Sequence, residues 1–294
     1  MTSSVVDKNK PSEEEKSFTL NESILILQDS FGINNSIISN FEAVTNEVLV
    51  FCCGILLQFT NTETNEKRLF QTECQAGISA LAVDQEGPYI AVSDEIQNPK
   101  IYIYSYPSME ILRVLSDSAI KRHVQLCFNS RLNLLASISD QNENFLSIYD
   151  WREDQILMRV EARDVKFLVW SKEIDGLFVT GSKECIQFWE IIETFTGLKL
   201  KETSEKFGAM GPSNIFGMEI LPDGKVVSSD DSGNMFLWQK DHVKTVIKGI
   251  NGPCHKGRIN HIIFDEGEIY TAGEDGWIKV SIAIFKHTMS LNLA

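Results

Sequence analysis

Proline is scarce in this chain, 7 in 294 residues, and no stretch rich in proline, serine and glycine divides it. One domain is therefore expected, and a hydrophobic content of 43% is enough to give it a sizeable core. Long apolar runs are also missing. The longest, VLVFCCGILL at 48–57, is too short to span a bilayer as a helix. The polar first residues 1–16, ending in SEEEK, carry no legible secretory leader, so the chain reads as soluble and intracellular. Basic charge is in deficit: 27 Lys and Arg stand against 41 Asp and Glu, a formal net charge of −14. That average field repels nucleic acid, anionic membranes and the acidic surface of a microtubule. The blocks Lys8–Lys10 and Lys121–His123 are too short to make a basic patch.

Signatures of catalysis are absent as well. There is no phosphate-cradling glycine loop, no dinucleotide fingerprint, no His-Glu-x-x-His and no Cys-x-x-Cys pair. Of the cysteines Cys52, Cys53, Cys74, Cys127, Cys185 and Cys254, three (Cys52, Cys127 and Cys185) lie inside apolar strand-like runs. Buried reduced thiols are expected rather than a disulfide framework. Cys254, His255 and His261 form a soft-ligand cluster without an evident fourth ligand, so a structural His255 and a packed or surface-facing His261 are expected. The acidic pairs Asp230–Asp231 and Glu274–Asp275 look like acid/base sets but fall in turns, where Asp caps backbone amides. No catalytic residue, metal, cofactor or small-molecule substrate is expected.

What is present is a repeat. Short apolar runs end at Phe59, Tyr104, Tyr149, Trp189, Trp238 and Ser281, so that successive anchors stand 40–49 residues apart. Each is preceded by a second apolar strand, such as YIAV at 89–92 or KVVS at 225–228. Four are also preceded by a third, such as HVQLCF at 123–128. Turns such as LPDG separate these strands, and polar, alternating strands such as EILRVL at 110–115 follow the anchors. A period near 40–45 residues is one four-stranded propeller blade. The chain is thus all-β, a β-propeller of four-stranded blades with six repeats visible, either six-bladed or an incomplete seven-bladed ring. The repeats span roughly 33–71, 76–115, 121–160, 164–203, 212–247 and 256–281. The aromatic anchors read as core plugs.

The stretches LPDGKVVSSDDSGNMFLWQK (221–240) and CHKGRINHIIFDEGEIYTAGEDGWIKV (254–280) resemble the WD-repeat propeller family. Cys254 and His255 stand where that family has Gly-His. Only Trp189 and Trp238 keep its tryptophan, and no repeat carries its full buried His, Asp, Ser and Trp set. The expected organisation is a disordered arm at 1–16, a propeller at 17–281 and an atypical tail at 282–294. SILILQ at 23–28 is expected to supply the outer strand of the last blade, in competition with IAIFKHTMSLNLA at the C-terminus. The longest interval, between Trp189 and Trp238, holds TFTGLKL (194–200) and the loop KFGAMGPSN (206–214), and Phe195, Thr196 and Leu198 are its candidate partner-binding residues.

The stretches TFTGLKL, IYIYSYPSMEILRVL (101–115) and the 254–280 segment together resemble a family of cilia- and flagella-associated WD-repeat proteins of the motile axoneme, over residues 24–280. The resemblance implies a non-enzymatic scaffold in the tether complex that positions inner-arm dynein. It implies protein partners, a related axonemal WD-repeat protein and dynein components, and location in the cytoplasm at the ciliary or flagellar cytoskeleton. A general cytosolic adaptor is the alternative reading. Members of that family are much longer, and relative to them this chain looks truncated inside the sixth repeat.

Overall fold

The computed structural model describes residues 40–162, 164–182, 185–206, 214–239, 242–249 and 252–282. The stretches 1–16, 23–28 and 283–294, and the glycine loop between 206 and 214 apart from its end residues, lie outside them. Strands come in consecutive antiparallel sets. Blade 1 is β1 (Phe41–Ala43), β2 (Val48–Cys53), β3 (Leu56–Asn61) and β4 (Lys67–Gln71). Blade 2 is β5 (Ile78–Val83), β6 (Tyr89–Asp94), β7 (Ile101–Ser105) and β8 (Ile111–Leu115). Blade 3 is β9 (His123–Asn129), β10 (Leu134–Ser139), β11 (Phe145–Asp150) and β12 (Gln155–Glu161). Blade 4 is β13 (Phe167–Trp170), β14 (Leu177–Gly181), β15 (Cys185–Thr194) and β16 (Gly197–Lys206). Blade 5 is β17 (Met218–Ile220), β18 (Val226–Ser229), β19 (Met235–Gln239) and β20 (His242–Ile247). Blade 6 has β21 (Ile259–Asp265), β22 (Glu268–Gly273) and β23 (Ile278–Ile282), three strands among the described residues where the others have four.

In blades 2 to 5 the second and third strands are largely buried on both faces, because each of these blades is pressed between two others. β5 and β10 are buried along their whole length, whereas the outer strand β8 is mostly exposed. Five apolar cores join consecutive blades. Tyr104 packs into the core shared with blade 1, Tyr149 into that with blade 2, Trp189 into that with blade 3 and Trp238 into that with blade 4. All four are at most 2% exposed. Each thus plugs the seam with the preceding blade. Phe59 is also buried, but it packs with Val50 against blade 2, so it lies on the opposite face of its blade from the other anchors. A period of 45 residues does not betray this, because a shift of one residue turns a strand side chain to the other face.

The anchors use two hydrogen-bonding solutions. The indole N–H of Trp238 donates to Ser228 Oγ at 2.8 Å, and that of Trp189 to Thr180 Oγ1 at 2.9 Å. The acceptor in each case stands two residues beyond the anchor's cross-strand partner. Tyrosine reaches further and bonds the connection from the preceding blade. Tyr149 Oη donates to Ser116 O at 2.8 Å, and Tyr104 Oη accepts from Glu73 N at 3.1 Å. Ser137 occupies the Ser228-like position opposite Tyr149, and its buried hydroxyl has no partner among the described residues.

Polar stitches supplement the cores. Arg68 Nη1 donates to Pro107 O at 2.9 Å, and Arg113 Nε donates to Arg152 O at 2.7 Å, each joining an outer strand to the next blade. His123, the last residue of the sequence's short basic block, is buried and not a surface charge. Its ring nitrogens lie 2.7 Å from Ser93 Oγ and 2.6 Å from Ser118 Oγ, and burial pushes its pKa down to about 3. The turn that opens β19 needs a glycine. Gly233 has φ +81° and donates to Asp230 O, and a Cβ there would stand 2.1 Å from His255 O.

Two stability tests follow from these contacts. Ser137→Ala removes a hydroxyl without a partner and is expected to be neutral or stabilising. Ser228→Ala strands an indole N–H and is expected to cost about 1–3 kcal/mol. Urea denaturation of both variants gives the comparison, and equal losses would refute it. Gly233→Ala is expected to destabilise far more than Gly267→Ala, whose φ of +89° is similar but whose surroundings are open. The second costs about 1 kcal/mol from backbone strain alone.

Candidate functional site

Two features of the ring bear on function, the central cavity and a hairpin on blade 4. The cavity, about 1020 Å³, is lined by the inner strands of all six blades and the turns leading into them. Arg122, Lys166 and Arg258 lie just before β9, β13 and β21, while Glu42 and Glu219 come from within β1 and β17. Arg122 pairs with Asp140 at 3.3 Å and Arg258 with Glu274, so part of the basic charge is neutralised locally.

Both glutamates are held near neutrality. Loss of hydration raises Glu42 to about 7, and burial raises Glu219 to about 7 against the pull of Lys172, whose Nζ lies 3.6 Å away. Burial also pushes the Cys127 thiol up to about 12, and the charges of Glu42 and Glu219 both add to that rise. The sequence repeats show no matched acidic positions, and two glutamates 177 positions apart, at 42 and 219, come together only because inner strands of different blades face one cavity. Glu219 is engaged by Lys172.

The soft-ligand cluster is dispersed by the fold. Cys254 is buried, with its thiol 3.3 Å from Ile247 O. His255, buried, has Nδ1 2.8 Å from Asp275 Oδ1 and Nε2 2.9 Å from Thr271 Oγ1. The His255 hydrogen bond holds the Asp275 carboxyl well below the usual carboxylate range. His261 lines the central cavity instead. Among the described residues no three His, Cys, Asp or Glu side chains gather in a metal-binding group. Ser281 leaves blade 6 with the histidine, acid and hydroxyl of its network but no aromatic anchor, and it is itself buried. The turn acids cap backbone: Asp230 Oδ1 accepts from Ser232 N and Asn234 N, and Asp275 from Lys256 N and Trp277 N.

The extra length in the longest repeat interval is partly a β-hairpin. Ile191–Thr194 pair with Gly197–Leu200 beyond the last residue that pairs with β14. Its base is rooted, because Ile191 and Leu200 pack on the core between blades 3 and 4. The tip is fastened by Thr194 Oγ1, which donates to Gly197 O at 2.6 Å and lies 3.2 Å from Thr196 Oγ1. Phe195 is fully exposed there, and Leu198 is 43% exposed. Phe195 does not fold back onto the outer strand of its blade.

Fold and cavity define a six-bladed β-propeller. No family model matches the chain. The crystal structure of the computationally designed Ika8 protein aligns with 86% of this chain and 73% of its own at TM-score 0.60 and 16% identity, a likeness of fold alone. The sequence is more specific. It is 35% identical over 260 residues to cilia- and flagella-associated protein 44 of Mus musculus, covering 87% of this chain. It is 30% identical over 237 residues to the protein of the same name from Chlamydomonas reinhardtii, covering 77% of this chain. Over most of its length the chain is thus a homologue of cilia- and flagella-associated protein 44, and it spans 14% and 13% of those two relatives' lengths.

The raised glutamates give the ring a pH signature. A carboxyl whose pKa folding raises from 4.5 to about 7 favours the protonated native state. Its contribution is greatest below about 4.5 and is lost as pH rises through about 7. Relative to the parent, Glu219→Gln is therefore expected to gain thermal stability between about pH 5 and 8. The His123 contribution, which falls as pH drops below about 6.5, cancels in that difference. Parallel pH curves for the two proteins would contradict the assignment.

Proposed function

We propose that this chain is a non-enzymatic protein scaffold of the motile cilium or flagellum, acting at the axonemal cytoskeleton in the complex that tethers inner-arm dynein. The observation that carries this reading is the 35% identity to cilia- and flagella-associated protein 44 across 87% of the chain. A propeller suits the role, since its cores hold the blades while rims and faces remain free for partners. Glu219 is paired with Lys172, and the turn acids Asp230 and Asp275 accept from backbone amides. Partners are a related axonemal WD-repeat protein and inner-arm dynein components, without nucleic acid, membrane or small-molecule substrate. Phe195, Thr196 and Leu198 form one contact point, because a rooted hairpin presents an aromatic side chain at little entropic cost.

Fractionation of ciliated cells tests the role. The chain is expected in detergent-extracted axonemes and is expected to leave them with inner-arm dynein as salt rises. Recovery only in the soluble fraction would point to a free cytosolic adaptor. Burying a phenylalanine is worth about 2–3 kcal/mol, so Phe195→Asp is expected to weaken axonemal binding by roughly 30- to 150-fold. The thermal midpoint should stay unchanged, because Phe195 makes no contribution to the cores.

A further inference from the structure

The residue immediately before the first strand of each blade occupies an equivalent place in the ring. In blade order these residues are Asn40, Gly77, Arg122, Lys166, Gly217 and Arg258. Three are cations, none is an acid, and all but Gly77 line the central cavity. Arg122 is held at its flank by Asp140 at 3.3 Å and Glu95 at 3.6 Å, and Arg258 by Glu274. Of those three acids only Asp140 lines the cavity. Arg258 also stacks with its Cζ 4.5 Å from the centre of the Phe216 ring, and its buried Nε has no partner among the described residues. The Lys166 ammonium is half-buried and makes no ion pair or hydrogen bond among the described residues.

We propose that this collar of cations binds an acidic segment of a partner protein, whose carboxylates enter the mouth of the central cavity. The proposal rests on the reading of the chain as a protein-binding scaffold and adds to it a site separate from the blade 4 hairpin. Charge complementarity carries it. The chain has a net charge of −14, so a basic collar is the exception on its surface. At physiological salt the screening length is about 8 Å, so the exterior acids are damped while a ligand in the mouth touches the collar directly. Glu42 and Glu219 lie further along the inner strands, and burial raises both to about 7, which weakens the charge that would oppose an anion. Val165, Phe167 and Phe216 line the cavity beside the cations. Such apolar walls strengthen charge contacts and cover the methylenes of an acidic side chain. The arrangement favours a peptide over a compact anion. The cations come from blades 3, 4 and 6, and Arg122 and Arg258 are each already engaged by an acid on one side. Carboxylates spaced along a chain can meet such separate cations one at a time. A phosphate concentrates its charge at one point and needs its donors gathered there. A cavity of about 1020 Å³ has room for several side chains of such a segment.

The test is fluorescence anisotropy of a fluorescein-labelled hexaglutamate peptide titrated with the purified full chain at about 0.15 M salt. Saturable binding is expected, with none for a hexaglutamine peptide. Lys166→Gln is expected to weaken binding about fivefold, and Lys166→Glu at least tenfold. Lys244→Glu makes the same change in net charge on the exposed outer strand β20 and is expected to leave the affinity unchanged. Thermal midpoints report the fold of each variant, and Lys166→Gln, which buries no new charge, decides the matter should Lys166→Glu unfold. Absence of saturable binding, equal losses in Lys166→Glu and Lys244→Glu, full affinity in a folded Lys166→Gln, or tighter binding of inorganic triphosphate than of the peptide would overturn the proposal. The binding is read on the isolated protein, so its failure leaves the axonemal fractionation result standing, and the reverse holds as well.

Discussion

The structure depends on one constraint, that a blade with two apolar faces has to be covered on both. A sheet of three or four short strands cannot hold itself together in water, and burial between neighbours is what stabilises it. Pressing blade against blade explains why β5, β6 and β10 are buried almost throughout, whereas the outer strand β8 is mostly exposed. It also explains why the consequences gather at the first and last blades, which among the described residues each have one side covered by a core and one side without.

The anchors show how the same seam is filled with different chemistry. Tryptophan brings a donor that must be satisfied inside its own blade, and Thr180 and Ser228 stand where it can be. Tyrosine carries its polar atom further out, so Tyr104 and Tyr149 tie to the connection arriving from the preceding blade. In blade 6 the aromatic is gone, and His255, Asp275 and Thr271 hold the turn and second strand together instead. Packing supplies the bulk of the stabilisation, and the polar networks fix which turn meets which strand.

Electrostatics divides inside from outside. The chain is acidic overall, yet two of its acids, Glu42 and Glu219, line the cavity, where loss of hydration raises their pKa values to about 7. Two arginines on outer strands, Arg68 and Arg113, serve as latches by bonding carbonyls of the next blade. Exposed apolar groups stand at the tip of the blade 4 hairpin and on blade 6, and singly elsewhere, as at Ile120, Leu132 and Ile174. These are the surfaces left over once every blade seam with a core has been satisfied.

Much of the fold was legible from repeat spacing, because each blade buries the same pattern of apolar residues at the same interval. The burial of Trp189 and Trp238, the capping roles of Asp230 and Asp275 and the six repeats all follow from local sequence, which left open whether the ring has six blades or seven. Phe59 marks the limit: spacing placed it among the anchors, but the side of a strand is set by register, and a slip of one residue is invisible to a period of about 45. That Glu42 and Glu219 line one cavity was likewise out of reach, since it depends on bringing together blades far apart in the chain. The hairpin was visible as extra length, but its rooted base and exposed Phe195 required the pairing of β15 with β16. The sequence by itself determined the blades, through short-range alternation and turn residues. Only the tertiary structure decided which faces meet, because that is settled by burial between segments that share no local pattern.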